Sequence, residues 1–270
     1  MKINLIGGGF QHEHTSTLDK FSKYIEWEFE SKSNPVSFYV DREIFLALKR
    51  DKNDGKKKFG WLLESRQIVG GLLEHVIQHR ESLFEVLDAI FTHDRMLTNL
   101  DERFIWTPAY GTWIHNPKMH IKTKTLSMIT SRKSLTQNHR LRIALANQLK
   151  DKLDLYGRGF NPIKTKDEGL NDYMFSIAIE NDCYETYYTE KITDCFATGT
   201  VPIYKGAPDI GNHFNMDGII LIDDLNNDFS GFNQDLYYSM MDAIQDNFIR
   251  SLEYDVLEDW IWEKHLKDII

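Results

Sequence analysis

Tyr173–Pro208 reads YMFSIAIENDCYETYYTEKITDCFATGTVPIYKGAP. The apolar run Phe175–Ile179 has the length and composition of a buried strand, and it ends in the polar pair Glu180-Asn181. A helix is expected over Thr189–Ala197, stopped by Thr198-Gly199-Thr200, which turns the chain into a second apolar strand, Val201–Tyr204. Strand, helix, strand in this order is a unit of a parallel sheet, and ligands of such folds sit beyond the carboxyl ends of the strands. A helix opening at Thr189-Glu190-Lys191 presents unpaired backbone N–H groups and a positive dipole end, and Lys191 adds a full charge. That combination suits a diphosphate. Glu190 is an acceptor for paired ribose hydroxyls, and Tyr187 offers a flat face and a hydroxyl.

The same alternation extends in both directions. Strands are expected at Lys2–Ile6, Val36–Val40, Phe59–Leu63, Ala89–Thr92 and Arg103–Trp106, with helical spacing over Leu18–Phe29 and Val69–His79. The pattern restarts with a strand at Thr125–Ile129, a helix over Asn138–Lys152 and a strand at Leu153–Tyr156 ending in Gly157-Arg158-Gly159. Downstream come a strand at Gly218–Ile222, an acidic loop at Asp223–Asp228 and a largely helical tail, Asn233–Ile270. The segment His115–Lys124 (HNPKMHIKTK) holds a proline, several basic residues and no apolar run, so it reads as a linker. The fold class is α/β, with domains predicted at residues 1–118 and 119–270.

Composition narrows the function. A chain of 270 residues with 41% hydrophobic and 27% charged residues has the profile of a soluble globular protein. A net charge of -9 argues against general nucleic-acid binding but leaves room for an anion in a locally basic pocket. Cys183 and Cys195 do not make a disulfide framework, MKINLIGGGF is too short an apolar start for a secretion signal, and no apolar run suits a membrane helix. A cytoplasmic location is expected. The Gly7-Gly8-Gly9 run lacks G-x-G-x-x-G spacing, which counts against a dinucleotide-dependent oxidoreductase and favours a strand-to-helix turn. His12-Glu13-His14 reads as a surface loop, His75 and His79 lack the inner Glu of a zinc-protease helix, and Asp223, Asp224 and Asp228 read as solvated. No metal site is expected.

Tyr173-Met174-Phe175, Glu180-Asn181, Tyr187-Tyr188-Thr189-Glu190-Lys191 and Pro202-Ile203-Tyr204-Lys205-Gly206-Ala207-Pro208 occur in the order of a known donor-binding motif. The stretch resembles α-1,3-fucosyltransferases of glycosyltransferase family 10. That resemblance implies a GT-B fold, two facing Rossmann-like domains with the active site in the cleft. It implies inverting transfer of fucose from GDP-fucose to a glycan hydroxyl, α-1,3 to an N-acetylglucosamine-type acceptor in protein glycosylation or polysaccharide biosynthesis. No cofactor or metal beyond the donor is implied, and the sequence carries no signal of oligomeric state. Upstream, Ser127–Ser131 followed by His139-Arg140-Leu141-Arg142 is similar to the family's phosphate-binding helix, with Arg142 the match and Arg140 the alternative. Trp61-Leu62-Leu63-Glu64-Ser65-Arg66 is similar to the strand that carries the catalytic base, which makes Glu64 the base; Arg66 replaces the family's Pro. Donor contacts are then expected from Arg142, Lys191, Glu190, Tyr187, Asn181 and Thr189, with Arg140, Glu180, Ser131 and Gly206 as further candidates. Residues 1–58 show no match. Two other readings stand beside this one: a transferase of another GDP-sugar, and a catalytically inactive nucleotide-sugar-binding protein.

Overall fold

The computed structural model of the protein describes residues 1–7, 14–29, 31, 33–49 and 54–270. Gly8, Gly9, His12 and Glu13, singled out in the sequence, lie outside the described residues. The chain divides into two compact units, Met1–Gly111 with Val256–Ile270, and Thr112–Asp255.

In unit 1 the described strands are β1 (Lys2–Ile6), β2 (Glu26–Phe29), β3 (Val36–Val40), β4 (Lys57–Leu62), β5 (Ala89–Thr92) and β6 (Phe104–Trp106). They form one sheet in the order β2-β1-β3-β4-β5-β6, with every pairing parallel. β3 and β5 are buried at every residue, so their side chains pack on both faces, as the near-continuous apolar runs of a covered parallel sheet require. Helices α1 (Leu72–Gln78), α2 (Arg80–Phe84) and α3 (Arg95–Thr98) belong to this unit; Leu72, Val76 and Leu83 pack with Tyr39, Leu62 and Ile90.

In unit 2 the described strands are β7 (Lys124–Ile129), β8 (Asp154–Tyr156), β9 (Tyr173–Ile179), β10 (Val201–Lys205) and β11 (Ile220–Leu221). Their order is β11-β10-β9-β7-β8, again all parallel. From β7 the chain moves outward to β8, then crosses back to place β9 on the other side of β7. The order of connection reverses between β7 and β9, and in open α/β sheets that reversal opens a crevice at the strands' carboxyl ends. Helix α4 (Gln137–Gln148) follows β7, α5 (Glu190–Ala197) follows β9, and α6 (Gln234–Ser239) and α7 (Met241–Ser251) complete the unit.

Helix α8 (Leu257–Lys264) belongs to unit 1, although the sequence reading assigned residues 119–270 to one domain. The cause is apolar burial: Leu257, Ile261 and Leu266 join Ile3, Phe38, Phe59, Trp61 and Phe91 in one core. The expected linker at 115–124 likewise falls inside unit 2, whose boundary lies at Gly111/Thr112. The helix expected over Leu18–Phe29 is absent, because α8 supplies this segment's polar partners. Glu258 accepts from Ser16 N (2.5 Å) and Asp259 from Lys23 N (2.8 Å), while Glu26–Phe29 pairs with β1. The helix expected from Val69 starts at Leu72, and the strand expected over Gly218–Ile222 is reduced to Ile220–Leu221.

Candidate functional site

The carboxyl ends of β7 and β9, with the first turn of α5, enclose a cavity of about 260 Å³ in unit 2. Its wall takes Ile129, Thr130 and Ser131 from the end of β7, Ser176–Ile179 from β9, and Glu190, Lys191, Asp194 and Cys195 from α5. Arg142 enters from α4, Gly157 and Arg158 from the turn after β8, and Trp113 and Lys166 from the segments before β7 and β9. Arg142, Arg158, Lys166 and Lys191 outnumber Glu190 and Asp194 on this wall, in a chain of net charge -9.

Helix α4 sets Arg142 in place. Thr136 caps it, its hydroxyl accepting from His139 N (3.1 Å) while His139 Nδ1 accepts from Thr136 N (3.1 Å). Burial and the nearby Arg142 push His139 down to about 4, so the ring stays neutral and Nδ1 keeps the lone pair this bond needs. Arg142 then lies 7% exposed, donating from Nη2 to Asn181 Oδ1 (2.6 Å) and from Nε to Asn138 O (3.4 Å). Both of these hydrogen-bond partners are neutral, so neither offsets its charge.

Helix α5 is clamped to the end of β9. Fully buried Glu180 accepts from Thr189 N (2.9 Å) and Thr189 Oγ1 (2.6 Å), fixing the helix cap to the strand. Lys191 Nζ stands 2.9 Å from Thr189 Oγ1, 3.3 Å from Glu190 Oε1 and 3.4 Å from Glu180 Oε2. Burial raises the Glu180 carboxyl, with Lys191 opposing. Burial alone would raise Glu190 as well, but Lys166 and Lys191 hold it well below the usual carboxylate range. Gly206 leaves room for this clamp: a Cβ there would lie 2.1 Å from Tyr204 Oη and 2.5 Å from Glu180 Cγ.

Of the residues predicted to hold the donor, Ser131, Arg142, Glu190 and Lys191 reach the cavity wall. Asn181, Glu180 and Thr189 stand behind it and orient those that do. Tyr187 is fully buried and stacks on Tyr184 with ring centroids 4.9 Å apart, so its face is taken by protein. Arg140 is exposed and donates to Ser134 O (3.1 Å). The sequence reading missed Trp113, Arg158, Lys166 and Asp194. One signal was available at Gly157-Arg158-Gly159. Gly157 adopts φ 110°, where a Cβ would meet Thr130 O at 2.0 Å, so only glycine lets the β8 turn close over the end of β7.

Glu64 lies in unit 1, half-buried, just after β4. Tyr110 Oη donates to its Oε1 (3.4 Å). The neighbouring Asp41, at the end of β3, accepts from Leu63 N (2.9 Å) and Glu64 N (3.3 Å), fixing the backbone that carries Glu64. Burial pushes the Asp41 carboxyl up to about 7. Arg66, in the place of the family's proline, donates from Nε and Nη2 to both oxygens of Asp94, each at 2.7 Å. Asp94 caps α3, so this pair ties the loop after β4 to the one after β5.

Among the described residues no group of three or more His, Cys, Asp or Glu could hold a metal ion, and no helix is long and apolar enough to cross a membrane.

The comparisons with known proteins fall on the same elements. The family described as glycosyltransferase family 10 (fucosyltransferase) C-term matches residues 119–237, which carry β7 to β11, α4 and α5. An α-(1,3)-fucosyltransferase FucT of Helicobacter pylori is 38% identical over 69 residues, 26% of this chain and 14% of that protein. A solved α1,3-fucosyltransferase superposes with a TM-score of 0.53 at 15% identity, covering 97% of this chain and 87% of its own. A structure of α1,3-fucosyltransferase with GDP gives a TM-score of 0.50 over the same shares. At that identity the likeness shows the fold, α/β of the GT-B type with two Rossmann-like units. By sequence, residues 119–237 are similar to the C-terminal domain of glycosyltransferase family 10, the fucosyltransferases.

Proposed function

We propose that the protein is an inverting glycosyltransferase that moves fucose from GDP-fucose to a hydroxyl of a glycan. The observation that carries this reading is the cavity at the β7/β9 reversal. It is walled by Arg142 and Lys191 and lies within the segment that matches the family. The printed name of the Helicobacter pylori relative and a neighbouring structure with GDP support the choice of donor.

In this reaction the acceptor oxygen forms a bond to the anomeric carbon of fucose as that carbon's bond to the diphosphate breaks on the opposite face. The acceptor proton passes to Glu64, and GDP leaves with the electron pair. Charge builds on the diphosphate as the sugar becomes oxocarbenium-like. Arg142, Lys191 and the N–H groups at the start of α5 meet that charge in a low-dielectric cavity, where fixed positive groups are worth most. Glu64 is suited to the base role because, among the described residues, no ion pair engages it. The finer reading is α-1,3 transfer to an N-acetylglucosamine-type acceptor, as in polysaccharide biosynthesis. It takes the reaction to be cytoplasmic, supported by free thiols at both cysteines.

Thermal shift with GDP, UDP, ADP and their sugar conjugates tests the donor. A ligand at a hundredfold excess over its Kd adds about 2.7 kcal/mol of stability. GDP and GDP-fucose are expected to raise Tm and the other nucleotides to leave it unchanged. A shift by UDP or ADP equal to that by GDP overturns the choice of donor.

A further inference from the structure

Lys166 opens a short 3-10 turn, Lys166–Gly169, and reaches into the wall of the cavity. Its Nζ lies 2.7 Å from Asp194 Oδ2 and 3.2 Å from Glu190 Oε1, and 4.3 Å from the centroid of the Trp113 ring. This socket is held from outside. Asp194 Oδ1 accepts from Trp113 N and from Thr112 Oγ1, each at 2.7 Å, so the ring and the first carboxylate are fixed together. A buried lysine is costly unless it is paired. Burial works to lower Lys166, but Asp194 and Glu190 overcome it and keep the ammonium charged.

The two carboxylates do different jobs. Asp194 is 1% exposed at its side chain and is saturated by Thr112, Trp113 and Lys166, so it serves as the fixed counter-charge. Glu190 is the first residue of α5, next to Lys191, and both lysines contact its Oε1. Without Lys166, Lys191 would be the cation left to Glu190 while it also pairs with Glu180. Lys191 stands within 3.4 Å of both carboxylates as it is, so Lys166 takes a share of the Glu190 charge that would otherwise fall on Lys191 alone. In a nucleoside diphosphate the ribose adjoins the phosphates, and a carboxylate accepts from both hydroxyls of a vicinal diol.

We propose that Lys166 is a positioning residue that, from its socket of Asp194 and Trp113, holds the Glu190 carboxylate in the cavity wall as the acceptor for the 2′- and 3′-hydroxyls of the donor ribose. This rests on the nucleotide-donor reading above. Titration calorimetry with GDP and 2′,3′-dideoxy-GDP separates the two. The wild type is expected to prefer GDP by about tenfold or more. Lys166→Met and Glu190→Gln are expected to bring that preference to within about threefold. Lys166→Met strands Asp194, so Lys166→Met/Asp194→Asn, which removes the stranded charge, is measured beside it. A merely structural lysine would weaken both nucleotides alike and keep their ratio, and that result in either Lys166 variant overturns the proposal. Equal binding of the two nucleotides by the wild type overturns the ribose assignment and leaves the donor reading standing. Binding of neither nucleotide sinks the donor reading itself.

Discussion

Glu180 of unit 2 and Glu64 of unit 1 both follow the carboxyl end of an inner parallel strand, β9 and β4. Their surroundings are opposite. Glu180 is fully buried, clasped by both polar groups of Thr189 and faced by Lys191 at 3.4 Å. Glu64 is half-buried, its side chain meets a tyrosine hydroxyl at 3.4 Å, and the nearby guanidinium of Arg66 is taken up by Asp94. The carboxylates around the unit 2 cavity hold Lys166 and Lys191 in its wall, an arrangement that suits the proposed diphosphate. In the unit 1 loop the Arg66 cation is paired with Asp94, and no described ion pair engages Glu64, which suits the proposed proton acceptor.

The two sites are expected to fail differently when altered. Glu64→Gln is expected to lower kcat by about 10²–10⁴, with the Kd for GDP within about twofold of wild type. Normal turnover would move the base elsewhere. Lys191→Ala should cost about 10²–10³ in transfer rate and also weaken GDP binding by calorimetry. An unchanged Kd would separate Lys191 from the phosphates.

Stability offers gentler probes of unit 1. Asp41 is raised to about 7 from the usual carboxylate value near 4 by burial, against Leu63 and Glu64 N–H groups and with Glu64 and Glu43 nearby. The stability this group contributes is fully present below about pH 4 and is lost as pH rises through about 7. Asp41→Asn keeps an acceptor for both N–H groups without the charge. Between pH 4 and 8 the wild type should lose roughly 1–3 kcal/mol that the variant retains, measured by urea unfolding at each pH. Parallel pH profiles would show that Asp41 does not titrate across this range. Arg66→Ala breaks a bidentate pair whose arginine side chain is 30% exposed, so about 1–2 kcal/mol of stability should be lost. The smallest effect belongs to exposed Arg140. Arg140→Ala should leave kcat/KM within about twofold of wild type, and a larger loss would make it a donor contact.

The sequence made β9, α5 and β10 legible because the whole unit is one continuous run whose strand, cap and stop are local. It offered Arg140 and Arg142 as alternatives, since two positions on one helix point to different faces but only the sheet says which face meets the cavity. Lys166 was not legible: its partners lie 24 and 28 residues further along the chain. Its neighbours Thr165 and Glu168 form a capping box that marks a turn and nothing about the cavity. The Leu18–Phe29 error has the same origin. Apolar spacing suggested a helix, but the groups that decide the backbone there, Glu258 and Asp259, come from the other end of the chain.

The return of α8 to unit 1 sets an order of assembly. Residues Thr112–Asp255 are continuous, so this unit is complete as soon as its last helix leaves the ribosome. The other unit waits with an open hydrophobic face until Leu257, Ile261 and Leu266 are translated. Synthesis therefore finishes the unit 2 cavity first and closes the older-born half last, and a chain stopped short at Asp255 would expose the seat of Phe38, Trp61 and Phe91 to aggregation.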